Sequence, residues 1–312
     1  MLACLLNLFW LTFWEPYIHA AEEMTRPTLN KGNKWRIGYY EGGSWQDYRE
    51  SLKEGHVDMM FAMGTWAGQD LANNSHAIPT MVMSTTDPVQ SGIVKSADDS
   101  GLDHVHARCD PTRRQRQIRL FHDIIKFKRI GVVYDDKDPN GKVMAHLNEL
   151  EEIGLERRFD VVTCSAPDSQ KSLQVAVDGY RACVRKLAPE VDAFYLSDLR
   201  GTEADMLFET IQPLFEHKVP TWSARGSKLV ARGALLSVAR ENFDFIAPFY
   251  AAVVARIFNG VKPRDIPQVF KDKMRLAINL ETAKTIGYPV PPNILKEADI
   301  VYDKIEVPQG TP

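Results

Sequence analysis

Arg129-Ile130-Gly131-Val132-Val133-Tyr134 (RIGVVY) is the stretch that decides the fold. It is too short for a helix and has no polar alternation, so it reads as a strand buried on both faces of a parallel sheet. A predicted helix precedes it over 113–125, with Ile118, Phe121, Ile124 and Ile125 at helical spacing. Downstream the alternation repeats. A helix is expected near 143–152, a strand at 159–163 and a helix at 173–187. A strand at 193–196, a helix at 203–217 and a strand at 221–223 follow. Upstream, Trp35–Tyr40, Val57–Met63 and Thr80–Ser84 read as strands ending in turn residues. Strands alternating with amphipathic helices predict an α/β fold, doubly wound, with helices on both faces of parallel sheets.

The rhythm changes after the strand expected at 233–238. A long apolar helix spans 243–258 and ends in Asn259-Gly260. A loop over 262–267, a strand over 274–280 and a helix over 281–286 follow. Pro292 opens a final helix expected over 293–304. These last pieces cannot form a core alone, so they are assigned as elements returned to two lobes across a hinge. The expected division is 30–110 with about 240–272 for the N-terminal lobe, and 111–239 with about 273–306 for the C-terminal lobe.

The chain has 312 residues and a net charge of −3. This balance gives no field for nucleic acid. The run Arg113, Arg114, Arg116 and Arg119 reads as a solvated helix face, with one arginine at the lip of a cleft as the minority reading. Leu5–Trp14 is an apolar run suited to a signal peptide, and Ile18-His19-Ala20 offers a cleavage site, so residues 1–20 are expected to be removed on export. The n-region lacks Lys and Arg. Met1-Leu2-Ala3-Cys4 has the outline of a lipoprotein box, but no apolar segment precedes it, and a lipid anchor is not expected. Of the four cysteines, Cys109, Cys164 and Cys183 would remain. Cys164 ends a strand and Cys183 sits on the helix that follows, so a bridge between them is geometrically allowed and favoured. The alternative is three buried thiols. His104 and His106 would share one strand face and read as surface residues, and no spacing resembles a metal site.

Four motifs carry a resemblance. They are Ile278-Asn279-Leu280-Glu281-Thr282-Ala283-Lys284-Thr285-Ile286-Gly287 with Val290-Pro291-Pro292-Asn293-Ile294-Leu295-Lys296-Glu297-Ala298-Asp299; Ile78-Pro79-Thr80-Met81-Val82 leading to Thr86-Asp87-Pro88-Val89 and Gly92-Ile93-Val94; Lys128–Tyr134; and Phe258-Asn259-Gly260-Val261-Lys262-Pro263. In these the chain resembles the ABC-transporter substrate-binding family that includes tryptophan- and tyrosine-binding proteins. The resemblance implies a type I periplasmic-binding fold, two lobes joined by a multi-strand hinge. It departs from the family between Tyr40 and Val57. The family places helix, strand and helix there, whereas Trp45–His56 leaves room for one short helix, since a parallel crossover takes about a dozen residues. The first lobe is therefore expected to be shortened.

Ligands of open parallel sheets bind beyond the carboxyl ends of strands. The candidates there are Glu41, Gly42, Gly64, Thr65 and Trp66 from the first lobe, and Tyr134, Ser197, Asp198 and Arg225 from the second. The resemblance adds Thr86 and Asp87. Thr65, Thr86 and helix N-termini could hold a ligand carboxylate, Asp198 or Glu41 an ammonium, and Trp66, Trp45, Tyr134 and Trp222 an aromatic side chain. Each could equally be a turn, cap or core residue. No nucleophile elbow, phosphate loop or zinc motif is present, so no enzyme activity and no cofactor are expected. The expected function is that of a periplasmic, monomeric binding protein delivering a small solute to an ABC permease in the inner membrane. The alternatives are a ligand-sensing regulatory domain, or a degenerate copy that no longer binds.

Overall fold

The computed structural model describes residues 58–74, 76–168, 172–238, 246–271 and 274–307. The expected strand at 35–40, Glu41, Gly42, Trp45, and with them the length of the first lobe, lie outside the described residues. The chain forms two compact units. One holds the described residues of Met1–Pro111 and Asn242–Asp272; the other holds those of Thr112–Glu241 and Lys273–Pro312.

The first unit is built on three parallel strands in the order β1 (Met60–Met63), β2 (Thr80–Met83), β3 (Val105–Ala107). Strand alternation sorts β2 between two cores. Met81 and Met83 pack on the apolar helix Ala247–Phe258. Val82 faces the other way, toward Ile93, Val105, Ala67 and Leu71. The helix Gly64–Leu71 lies close on that face, because a Cβ at Gly68 would meet Val82 at 2.7 Å. The two histidines expected at the surface, His106 in β3 and His104 just before it, are both buried: His104 is 8% exposed and His106 0%. His106 Nε2 lies 3.2 Å from the Pro267 carbonyl, so its face is closed by the returning chain. Sequence periodicity could not register that cover.

The second unit contains a seven-stranded sheet in the order β10-β9-β8-β7-β6-β4-β5. β4 is Arg129–Tyr134, β5 Asp160–Ser165, β6 Ala193–Leu196, β7 Thr221–Ser223, β8 Leu236–Val238, β9 Leu276–Asn279 and β10 Ala298–Tyr302. Pairing is parallel except between β8 and β9. β9 lies in the segment that returns to this unit, and it runs antiparallel to β8. The core joins Phe121, Trp222, Phe194, Tyr195 and Tyr180, all nearly inaccessible.

Three expected helices differ. The helix near 143–152 divides into Gly141–Met144 and Leu147–Arg157, because His146 takes a left-handed conformation (φ 55°). The one over 203–217 divides into Ala204–Thr210 and Gln212–Glu216; Pro213 has no N–H for the continuing ladder. The final one stops at Glu297, and Ala298–Tyr302 becomes edge strand β10 instead. Its half-buried Ala298, Ile300 and Tyr302 alternate with exposed Asp299 and Val301, a period of two. Asp299 Oδ2 accepts the Leu276 N–H at 2.8 Å and pins it to β9.

Cys164 and Cys183 are bonded, with 5.6 Å between their Cα atoms, and join edge strand β5 to the helix Leu173–Leu187. Cys109 is a buried free thiol, held up near 12 mainly by its burial.

Candidate functional site

In the first unit five of the expected residues follow the ends of β1 and β2: Gly64, Thr65, Trp66, Thr86 and Asp87. Met63 and Met83 are register partners at the ends of β1 and β2. Gly64 turns the chain from strand to helix at φ 83°, where any side chain would be strained. Thr65 follows, buried, with its Oγ1 3.2 Å from that of Thr85. Thr85 was not foreseen; its position beside the Thr86-Asp87 motif was the available signal. Thr86 and Asp87 are half-buried on the β2 side. Asp87 Oδ1 accepts the N–H groups of Val89 and Gln90, both at 2.9 Å, and Oδ2 takes the Gln90 amide at 3.3 Å. Its carboxylate is thus a turn cap. Trp66 is 48% exposed, an unusual degree for an indole and one suited to a contact surface.

The second unit presents a topological switch point. After β4 the chain lays β5 on one side and β6 on the other, and a crevice opens where strand order reverses. Tyr134 ends β4 there, and Ser197 and Asp198 follow β6. Ser197 is wholly buried and donates its hydroxyl to the Val133 carbonyl at 3.0 Å, so it ties β6 to β4. Asp198 keeps 20% of its side chain exposed. Its backbone N–H donates to the Met144 carbonyl at 3.1 Å. Tyr134 is half-buried against the core. Arg225, after β7, is turned aside: its Nη1 donates to the Leu199 carbonyl, Thr202 Oγ1 and Glu203 Oε1 at 3.3 to 3.4 Å. Trp222 is core, packed on Phe121 and inaccessible, and does not wall a ligand.

The site contains one residue that contradicts the charge-run reading. Arg114 is only 7% exposed. It lies on the inward face of the helix Arg113–Ile125, together with Gln117, Ile118 and Phe121. Its Nη2 meets Asp198 Oδ2 at 2.7 Å, and its Nη1 donates to the Ala224 carbonyl at 3.0 Å and to Gln117 Oε1 at 3.1 Å. The spacing from Arg114 to Gln117, Ile118 and Phe121 (i+3, i+4, i+7) was the signal for its burial. Behind the pair stands His146, 1% exposed, with Nε2 3.3 Å from Asp198 Oδ2 and Nδ1 3.0 Å from the Tyr195 hydroxyl.

Burial alone would raise the Asp198 pKa, but the Arg114 charge and the His146 contact override it and hold the carboxyl well below its usual range. His146 is pushed down to about 4, by burial first and then by the Arg114 charge, against the pull of Asp198. The imidazole is therefore neutral near pH 7. Nδ1 and the Tyr195 hydroxyl share a hydrogen bond, while Nε2 makes a 3.3 Å contact with Asp198 Oδ2 outside hydrogen-bond geometry.

An open groove of about 660 Å³ lies elsewhere in the first unit, lined in part by Pro79, Asp103, His104, Ile257 and Lys262. It sits at the amino ends of β2 and β3, the opposite pole from the strand ends where ligands of this architecture bind. Among the described residues no cluster of three or more His, Cys, Asp or Glu is placed to hold a metal ion, and no helix is long and apolar enough to cross a membrane.

Residues 46–302 match the family described as ABC transporter substrate binding protein. A tyrosine-binding protein of Clostridioides difficile is 24% identical over 237 residues, 73% of this chain; the match spans only 63% of that relative's length. Among solved structures, a conserved domain protein from Vibrio cholerae superposes with a TM-score of 0.71 at 22% identity, covering 92% of this chain and 95% of its own. The L-Trp complex of an ABC domain from Streptococcus pneumonia gives 0.71 at 21% identity, covering 92% and 94%. A ligand-free, open substrate-binding protein with adhesive properties from Clostridium difficile gives 0.66 at 20% identity, covering 94% and 96%. At these identities the structures establish a shared type I periplasmic-binding-protein-like fold.

Proposed function

The chain belongs to the ABC transporter substrate-binding protein family, and from that premise we propose that it captures an amino acid, aromatic or otherwise, between its two lobes. The lobes would close about a multi-strand hinge and hand the solute to an ABC permease in the inner membrane. The observation that carries the reading is the Asp198 carboxylate. It stands ionised and part-exposed at a topological switch point, beside the half-buried Tyr134. A zwitterionic solute needs such an anion for its ammonium group. Thr65, Thr86 and the N-terminus of the helix Gly64–Leu71 would take the carboxylate. Gly64 gives that approach room, and Trp66 lends an aromatic face. Asp87, Ser197 and Arg225 would then shape the strand ends rather than touch the solute. Glu41 and Gly42 would complete the first lobe, whose share is residues 30–110 with about 240–272. The tyrosine-binding relative and the L-Trp complex support an aromatic amino acid as the solute.

Export to the periplasm, with loss of residues 1–20, would fit the Cys164–Cys183 bond, since disulfides are characteristic of oxidising compartments. The protein would act as a monomer, without cofactor, catalysis or nucleic acid. A thermal-shift screen of the twenty amino acids on the purified chain tests the reading. L-tyrosine or L-tryptophan at 100 times its Kd should stabilise the fold by about 2.7 kcal/mol. A well-folded sample that no amino acid stabilises refutes it.

A further inference from the structure

Arg114 is not a candidate by position. It comes from a helix start rather than a strand end, and its guanidinium is almost wholly covered, with 8% of the side chain exposed against 20% for Asp198. The covered arginine therefore stands behind the carboxylate and not in front of it. Its two Nη groups are committed to Asp198, the Ala224 carbonyl and Gln117, and its buried Nε makes no hydrogen bond among the described residues. His146 Nε2 stands 3.3 Å from the same carboxylate oxygen, and the Tyr195 hydroxyl meets His146 Nδ1 at 3.0 Å. His146 is held there in a left-handed backbone conformation, which a non-glycine residue keeps only when its surroundings fix it.

We propose that Arg114 is a positioning residue for solute recognition: it fixes Asp198 as an aimed, ionised carboxylate that takes the ammonium group of an amino-acid solute, and it does so without touching the solute. The inference rests on the amino-acid reading of the site given above. Without a cation behind it, an Asp at this depth would hold its own proton and could not balance an ammonium. A guanidinium suits the task better than an ammonium, since its planar fork reaches a backbone carbonyl, an amide and a carboxylate at once. The charged and titratable groups around Asp198 are Arg114 from the helix Arg113–Ile125, His146 from the turn after Met144, and Arg225 from the turn after β7; Tyr195 of β6 stands behind His146. Arg225 is itself paired with Glu203, so the arginine in direct contact with Asp198 is Arg114. Discrimination then depends on geometry, which Arg114 supplies.

The test is calorimetric titration of the full chain with L-tyrosine and with 3-(4-hydroxyphenyl)propanoate, its analogue without the amine, and with L-tryptophan and 3-indolepropanoate. The wild type should prefer each amino acid to its analogue by roughly 10- to 100-fold, the range of a hydrogen bond to a charged group. Asp198→Asn should abolish that preference. Arg114→Met should weaken amino-acid binding about tenfold or more while leaving the analogues little changed, and Arg114→Lys should restore part of the loss. Where Arg114→Met fails to fold, the double variant Arg114→Met/Asp198→Asn removes both partners of the pair and restores folding. It should bind as Asp198→Asn does, because Arg114 acts through Asp198. Equal losses for amino acid and analogue, or losses that add in the double variant, overturn the proposal. If the wild type binds the amino acids but Asp198→Asn keeps the preference, this inference alone fails. If the wild type binds no amino acid, the underlying reading fails with it.

Discussion

Acid should destabilise the second unit through His146, and the size of the effect follows from its surroundings. The folded imidazole titrates at about 4, because burial and then the Arg114 charge oppose its protonation. In the unfolded chain it returns to about 6.5. The unfolded state therefore takes up the proton first. Stability is whole above the unfolded value and falls as pH drops through the window from 6.5 to 4. The slope is about 1.4 kcal/mol per pH unit, and the full window costs about 3 kcal/mol. That is a large share of the roughly 5–15 kcal/mol typical of a folded protein. Asp198 does not share this window. Its depressed carboxyl contributes fully above the unfolded carboxylate value, and that contribution is lost only as pH falls through its own lower folded value. Asp168, which burial raises, binds its proton earlier in the folded state and offsets part of the loss. The perturbation is His146→Gln, whose amide can still reach Asp198 but does not titrate. Urea unfolding from pH 7.5 to 4.5, with hydrogen exchange of β6 peptides to report this unit alone, should give a wild-type slope that the variant flattens by about 1 kcal/mol per pH unit. Equal slopes in the two proteins would show that His146 is not held neutral by its burial.

Three further outcomes are expected. Reducing the Cys164–Cys183 bond, or replacing both cysteines with serine, removes a closure of 19 residues and should cost about 3 kcal/mol, read as a lower melting temperature; an unchanged melt in reductant refutes this. Gly141→Ala would place a Cβ 1.8 Å from the Asp135 carbonyl oxygen, so the turn after β4 must move and about 3 kcal/mol should be lost in a denaturant titration. Cys109, 1% exposed and with its thiol pushed up to about 12, should resist a thiol reagent at pH 8 until the first unit opens; rapid labelling of the native chain would contradict its burial.

The second unit was legible because its central strands, β4, β6 and β7, are buried on both faces and need no partner to be recognised. RIGVVY, Ala193–Leu196 and Thr221–Ser223 appear where their residue types put them. β3 was missed because three residues, with a histidine at the centre and another just before, carry no periodicity. β10 was read as helix because a proline start outweighed the two-residue alternation that follows it. In both cases the chain is committed by what packs over it, and that cover comes from distant sequence.

The site shows the same limit with charge. Arg114 and Arg119 stand on one helix, five residues apart, in one basic run. Arg119 pairs with Glu156 where both side chains are a third or more exposed, and such a pair adds little. Arg114 is enclosed and meets Asp198 from 84 residues away. Composition treats the two alike; helix phase separates them, because only Arg114 shares the face of Ile118 and Phe121. A charged residue on the apolar phase of a helix must be paired or neutralised, since desolvation would otherwise cost several kcal/mol, on the order of a whole domain's margin. Phase therefore predicts a buried partner even where it cannot name it. The strand-end rule names it here, since Asp198 is the carboxylate that follows the switch-point strand β6. Taken together, the two rules would have found the pair that neither found alone.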